Sequence, residues 1–129
     1  MIVIDTHIWI WWVSQPGRLS QSQQTALQAN ESNVIGISAI SCWEIAKLVQ
    51  GGRLDLQRSV KEWFTLALDY PGVQLLPLTP DIALLSTQLR DGFRSDPADE
   101  LIIATALSFN CPLLTRDQKI RDYTHIQTI

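Results

Sequence analysis

Apolar residues along the chain follow two alternating patterns. Short apolar runs occur at 1–4, 34–37, 74–76 and 113–114, and Ile126-Gln-Thr-Ile129 repeats the pattern with two polar residues inside it. Runs of this length read as strands covered on both faces. The first four predict strands, and 126–129 is offered as a fifth. Between them, apolar positions recur at helical spacing behind recognisable caps. Ser20 with Gln23 forms a capping box ahead of Ala26 and Leu27. Ser38 opens a helix that reaches Val49 and stops at Gly51 and Gly52. Ser59 or a neighbour starts a helix carrying Val60, Trp63, Phe64 and Ala67, which ends before Pro71. Thr79 caps 80–88, and Asp96 caps a helix with Pro97 in its first position that runs to about residue 109. Strands alternating with helices predict an α/β fold around a mostly parallel sheet. The length fits a single domain spanning 1–129.

Composition narrows the function classes. A net charge of −3, from 10 Lys and Arg against 13 Asp and Glu, excludes a polybasic nucleic-acid coat. It leaves a nucleic-acid enzyme open, because local charge decides that. The apolar run at 8–13 is far short of the roughly 20 residues that span a bilayer, so no membrane is expected. No Lys or Arg precedes Arg18, which removes the basic start of a secretion signal. Cys42 and Cys111 lie in apolar surroundings without zinc-ligand spacing, and read as buried free thiols of a cytoplasmic protein. The glycines never assemble into a phosphate-cradling loop.

The acidic residues fall at informative places. Asp5 directly follows the first strand, and Asp117 follows the strand at 113–114. Sites of open α/β sheets form beyond the carboxyl ends of strands, although each acid also reads as a helix cap. Glu44 sits mid-helix, with Ile40 and Leu48 one turn either side. A half-buried carboxylate needs a partner, and Lys47 or Ser41 could supply one. Asp96 reads as a cap, whereas Asp99 and Glu100 complement the helix dipole.

Four segments carry a pattern when taken together: Met1-Ile-Val-Ile-Asp5-Thr6, Ser38-x-x-Ser41-x-Trp43-Glu44-Ile45, Asp96-Pro97-x-Asp99-x-Leu101-Ile102-Ile103-Ala104, and Leu114-Thr115-x-Asp117. In this order, over almost the whole chain, they resemble the PIN-domain family and in particular its VapC-like toxin branch. The resemblance implies an α/β/α sandwich with a central parallel sheet. It implies an acidic pocket holding Mg²⁺ or Mn²⁺, metal-dependent cleavage of RNA, a cognate antitoxin protein and a homodimer. The family's four acids fall on Asp5, Glu44, Asp99 and Asp117, and its strand-end hydroxyls on Thr6 and Thr115. One departure is Glu100, which stands where this branch often has an Arg after the third acid.

Four carboxylates within about 5 Å of each other repel by roughly 3 kcal/mol per ionised pair at an effective dielectric near 20. Six such pairs exceed the usual folding free energy of about 5–15 kcal/mol, so the set makes sense only around a cation. All-oxygen ligands select Mg²⁺ or Mn²⁺. Asp5 and Asp99 are the expected direct ligands, with Glu44 and Asp117 completing the pocket. Arg90, Arg94, Arg116 and Lys119 lie near two of the acidic segments and read equally as phosphate-steering groups or as a solvated face. Trp9, Trp11, Trp12 and Trp63 exceed what one small core is expected to bury, which predicts an apolar docking surface. His7 and His125 are lone histidines without ligand spacing, and neither is given a catalytic role.

Other readings fit less well. A haloacid-dehalogenase-like phosphotransferase wants a second Asp two residues after the first, where His7 stands. A receiver-like module wants an Asp closing its third strand, but Ser38 and Pro77 follow the candidate strands. A catalytically dead interaction module would not need all four acids. A PIN-type nuclease of RNA processing, without an antitoxin, remains the nearest alternative.

Overall fold

The computed structural model describes residues 1–129. In chain order the elements are β1 (Ile2–Ile4), α1 (Thr6–Ser14), α2 (Gln21–Asn30), β2 (Ile35–Ser38), α3 (Ala39–Gln50), α4 (Val60–Ala67), β3 (Val73–Leu76), α5 (Pro80–Ser86), α6 (Pro97–Ser108), β4 (Leu113–Leu114) and α7 (Gln118–Arg121). The strands form one parallel sheet in the order β3-β2-β1-β4. Helices cover both faces, which gives the expected α/β/α sandwich.

The two-residue period of the strands sorts their side chains between two cores. Ile2, Ile4, Ile35, Ile37 and Leu114 face a cluster built with Ile8 and Trp9 of α1, Leu27 of α2, Ile45 of α3 and Trp63 of α4. Val3, Leu76 and Leu113 face the other side, against Ile102, Ile103 and Ala106 of α6 and Ile120 of α7. In register, Ile4 of β1 stands beside Ile37 and Leu114, so the core-facing rows align across the sheet. Gly36 lies on the second face, where a Cβ would come 2.6 Å from Leu76 Cδ1. Its missing side chain is what lets Leu76 and Val3 close over β2.

The sequence-read caps form as written. Ser20 and Gln23 exchange hydrogen bonds in a complete capping box. Ser38, Ser59, Thr79 and Asp96 each accept a backbone N–H at their helix starts. Cys42 and Cys111 are free as expected but half-buried rather than buried, each packing beside a different core.

Three expectations need correction. Residues 126–129 do not form a strand: a single parallel bridge joins Leu113 to Thr128. With β4 only two residues long there is no further rung to extend. β3 is not covered on both faces, because it lies at the sheet edge with Gln74 and Leu75 exposed. Last, the tryptophans do not form a surface. Trp9 and Trp63 are fully buried, edge to face at 4.9 Å, and Trp9 stacks on Phe64. Trp63 Nε1 donates to Ser14 Oγ at 2.7 Å, Trp11 is only 7% exposed, and Trp12 is half-buried against Tyr70. The helix α1 is apolar on nearly every side because it is enclosed rather than amphipathic. The exposed tryptophan is Trp43, at 54%.

Candidate active site

Two acids arrive on the sheet. Asp5 ends β1 and caps α1, its Oδ1 accepting the His7 N–H at 2.9 Å. Asp117 follows β4 and caps α7 in the same way, its Oδ1 accepting the Lys119 N–H at 2.9 Å. Because β4 pairs with β1, the two caps stand side by side. Buried Thr115 joins them: its hydroxyl donates to Asp5 Oδ2 at 2.5 Å and accepts the Asp117 N–H at 3.0 Å.

Two more acids arrive on helices. Glu44 lies midway along α3, where its Oε1 accepts a short hydrogen bond from the Thr6 hydroxyl. Thr6 Oγ1 is also 2.9 Å from the fully buried Ser41 Oγ. Ser41 therefore supports Glu44 through Thr6 rather than directly, and Lys47 makes no ion pair with it. Asp99 is in the first turn of α6, where its Oδ2 accepts from Ser95 Oγ at 2.7 Å.

All four line one cavity of about 350 Å³, together with Thr6, His7, Asp96, Ile102, Arg116 and Gln118. The first residues or caps of α1, α6 and α7 meet there, so three helix N-termini point their positive ends at the carboxylates. That offsets the negative charge only in part. Burial pushes the Asp5 carboxyl above the ordinary range, against hydrogen bonds from Thr115 and His7. Burial pushes Glu44 to about 7, with repulsion from Asp96, Asp99 and Asp5 adding to it. Burial pushes Asp99 to about 6, again with Asp96, Asp117 and Asp5 adding. No Lys or Arg is within ion-pair distance of any of these acids; the single ion pair of the fold joins His125 to Asp91 at 2.5 Å.

The donor set is all oxygen, partly desolvated, self-repelling and without a basic partner, which suits a hard divalent cation. No three of these side chains already stand in a finished coordination shell. The hydroxyls of Thr6, Thr115 and Ser95 hold three of the carboxylates separately. A larger cavity, of about 630 Å³, lies between α1 and α4, but its lining has only Asp55, Asp69 and Arg58 as charged groups. It lacks a converging set of acids.

Sequence reading missed two contributors. Asp96 is the expected cap, accepting the Asp99 N–H at 2.9 Å, but it also lines the cavity and repels Glu44 and Asp99. Its three-residue offset from Asp99 was the available signal. Ser95 carried no signal, since its role depends on how the loop before α6 folds back. Glu100, the departure from the family pattern, turns away: its Oε2 accepts the Ser95 N–H at 3.1 Å and it lines a neighbouring cavity with Arg94. Among the four candidate cations, Arg116 lines the acidic cavity, while the Lys119 ammonium sits 5.5 Å from the Phe93 ring centroid.

Comparison with known proteins agrees with this geometry. Residues 2–126 match the PIN domain family. The chain is 32% identical over 124 residues to ribonuclease VapC22 of Mycobacterium tuberculosis, covering 96% of this chain and 92% of that protein. Solved structures share the fold at lower identity. One is a chain of the Rickettsia felis VapBC2 assembly bound to a promoter DNA fragment, with TM-score 0.72, 19% identity and coverage of 100% of this chain and 98% of that one. Another is a chain of FitAcB from Neisseria gonorrhoeae, with TM-score 0.68, 24% identity and coverage of 100% and 96%.

Proposed function

The chain belongs to the PIN-domain family, and from that premise we propose that it is a divalent-metal-dependent endoribonuclease, the toxin of a toxin–antitoxin pair. The observation that carries this reading is the single cavity in which Asp5, Glu44, Asp99 and Asp117 converge, with no Lys or Arg within ion-pair distance of them. Similarity to a protein named as a ribonuclease supports RNA as the substrate.

In this reading Asp5 and Asp99 would hold Mg²⁺ or Mn²⁺, with Glu44 and Asp117 completing the pocket. A divalent cation there would supply Lewis acidity towards a phosphodiester and ease deprotonation of water. The residues of the chain do the rest. Thr115 fixes the orientation of Asp5 and sets the Asp117 backbone beside it. Thr6, backed by Ser41, fixes Glu44. Held by Thr6, Glu44 would orient a water for in-line attack and accept its proton. Ile102 supplies an apolar wall.

The direct test is cleavage of RNA with and without Mg²⁺, by the wild-type chain and by Asp5→Asn. Cleavage that needs both the metal and Asp5 is expected. Equal activity of the two proteins would remove the nuclease assignment. The antitoxin half of the proposal draws on toxin–antitoxin assemblies among the structural relatives, one of them from Klebsiella pneumoniae. Co-expression with the product of the adjacent reading frame should yield a stable complex and suppress cleavage. If no such complex forms while RNA is still cut, the chain is a PIN nuclease of RNA processing. We further propose a cytoplasmic homodimer formed by one domain spanning 1–129. Size measurement of the purified chain checks the dimer.

A further inference from the structure

The acidic cavity has one cation on its wall. Arg116 stands between Thr115 and Asp117, so the chain delivers a guanidinium to a place where the other charged groups are carboxylates. Opposite charges attract strongly in a partly dry site. An arginine folded inward would fill the anionic centre with its own charge. Arg116 does not fold inward: none of its nitrogens reaches ion-pair distance of an acid. Its guanidinium carbon instead lies 4.7 Å from the centroid of the Trp11 ring, in cation–π geometry. The Arg18 guanidinium lies over the same ring, also at 4.7 Å. His7 packs edge-on against that ring at 6.2 Å. Trp11 is thus covered, while both arginines stay exposed.

This arrangement is not self-sufficient. Two guanidiniums on one indole lie no more than twice that distance apart, and like charges so placed repel. A guanidinium held over an indole by cation–π attraction keeps its N–H donors for other partners. Arg18 uses one donor on Gln15 Oε1, at 3.5 Å. The hydrogen bonds of the strand-end loop run among Asp5, Thr115, Asp117 and Arg121 and bypass the Arg116 side chain. Two repelling, donor-rich forks beside a centre that cuts phosphodiesters call for anionic oxygens, and phosphate matches the fork.

We propose that Trp11 holds Arg116 and Arg18 as a track for the sugar–phosphate backbone of single-stranded RNA entering the carboxylate cavity. Arg116 takes the phosphate beside the cut, and Arg18 takes a neighbouring phosphate. Trp11 is a positioning residue: it keeps Arg116 out of the anionic centre and aims both forks outward. This inference rests on the ribonuclease reading above.

The test measures binding of a fluorescent single-stranded RNA oligonucleotide against KCl concentration, on the whole chain and without divalent metal. Cleavage kinetics with Mg²⁺ run alongside. Arg116→Gln and Arg18→Gln should each weaken binding about tenfold at low salt and reduce the slope of log affinity against log salt by about 0.7. For Arg18→Gln the loss should appear in KM, with kcat within about twofold of wild type. Trp11→Leu should flatten the slope although it removes no charge, and Trp11→Phe should keep most of it. Lys61→Gln, on the exposed side of α4, should leave the slope unchanged. Should Trp11→Leu fail to fold, the wild-type arginine Nε–Hε resonances serve instead: two should show ring-current shifts that change when the RNA is added. A Trp11→Leu protein with the wild-type slope, or arginine resonances indifferent to RNA, would overturn the track. If the wild type cuts RNA but the arginine variants bind normally, the track alone falls. If the wild type neither binds nor cuts RNA, the ribonuclease reading falls and takes the track with it.

Discussion

The two walls of the acidic cavity are built by different physics. On the sheet wall, Asp5 and Asp117 are held by their own backbone neighbourhoods, as caps over the N–H groups two residues on. Both would stand near their helix starts whatever lay opposite. On the helix wall, Glu44 caps nothing, and Asp99 contributes only its N–H to the Asp96 cap. Their carboxylates take hydroxyl partners: Thr6, remote in sequence, for Glu44, and Ser95, just before the α6 cap, for Asp99. They face the sheet wall because α3 and α6 pack against each other and against the central strands. Local caps therefore place the sheet-wall acids, with Thr115 adding a long-range hold on Asp5, and helix packing brings the other two acids opposite them. Burial raises carboxyls on both walls, Asp5 on the sheet wall and Glu44 and Asp99 on the helix wall.

The largest test removes a charge from either wall. Asp5→Asn and Asp99→Asn should each reduce metal-dependent RNA cleavage by on the order of 10³-fold or more. Fold should survive in both, because repulsion is relieved while shape is kept. Circular dichroism and single-turnover cleavage check this. If only the sheet-wall variant loses activity, the helix wall is not part of the centre.

The next test removes the hydroxyl supports while keeping every acid. Thr6→Val should reduce activity about 10–100-fold, by freeing Glu44. Thr115→Val should do the same. Each should destabilise the fold by about 1–3 kcal/mol, because both threonines are buried and hold a buried partner, Ser41 for Thr6 and Asp5 for Thr115. Urea unfolding beside cleavage kinetics separates stability from activity. Full activity in either variant would show that its hydroxyl does not support the centre.

The pH dependence of the metal-free protein sharpens it further. Glu44 and Asp99 have folded pKa values raised above the ordinary 4.5 and 3.8, to about 7 and about 6. The folded state therefore binds more protons than the unfolded one across this interval. Stability contributed by the protonated groups is full below about pH 4 and is lost as pH rises through 6 and 7. Discounted for solvent screening, the loss attributable to these two groups is roughly 2 kcal/mol. Thermal unfolding between pH 5 and 7.5, with the Glu44→Gln and Asp99→Asn variants as controls, checks the sign. Saturating Mg²⁺ should flatten the wild-type slope by binding the ionised folded state.

The smallest effect is expected at Asp96. Asp96→Ala should lose about 1 kcal/mol through the missing cap, offset in part by relief of its repulsion with Glu44 and Asp99. NMR titration should find both neighbouring carboxyls titrating lower, and cleavage should persist. Loss of cleavage here, with retention in Asp99→Asn, would exchange the roles of the two residues.

Caps and strand faces were legible from near neighbours along the chain. Serine, threonine and aspartate caps set the helix starts, and alternation along β1 and β2 sorted residues between two faces, because each needs only a few consecutive residues. Asp5 and Asp117 could be placed at strand ends for the same reason. What the short-range pattern could not decide was enclosure. It predicted exposed tryptophans, but α4 and the turn after it close over α1 and bury Trp9 and Trp63, while Trp43 is left outside. It predicted a strand at 126–129, but a partner strand of two residues allows one bridge. It left four cations equivalent, and only packing set Arg116 over Trp11 at the rim of the carboxylates. Burial, repulsion between distant acids and the orientation of Glu44 depend on contacts between remote segments. No local pattern carries those distances, so only the folded chain could set them.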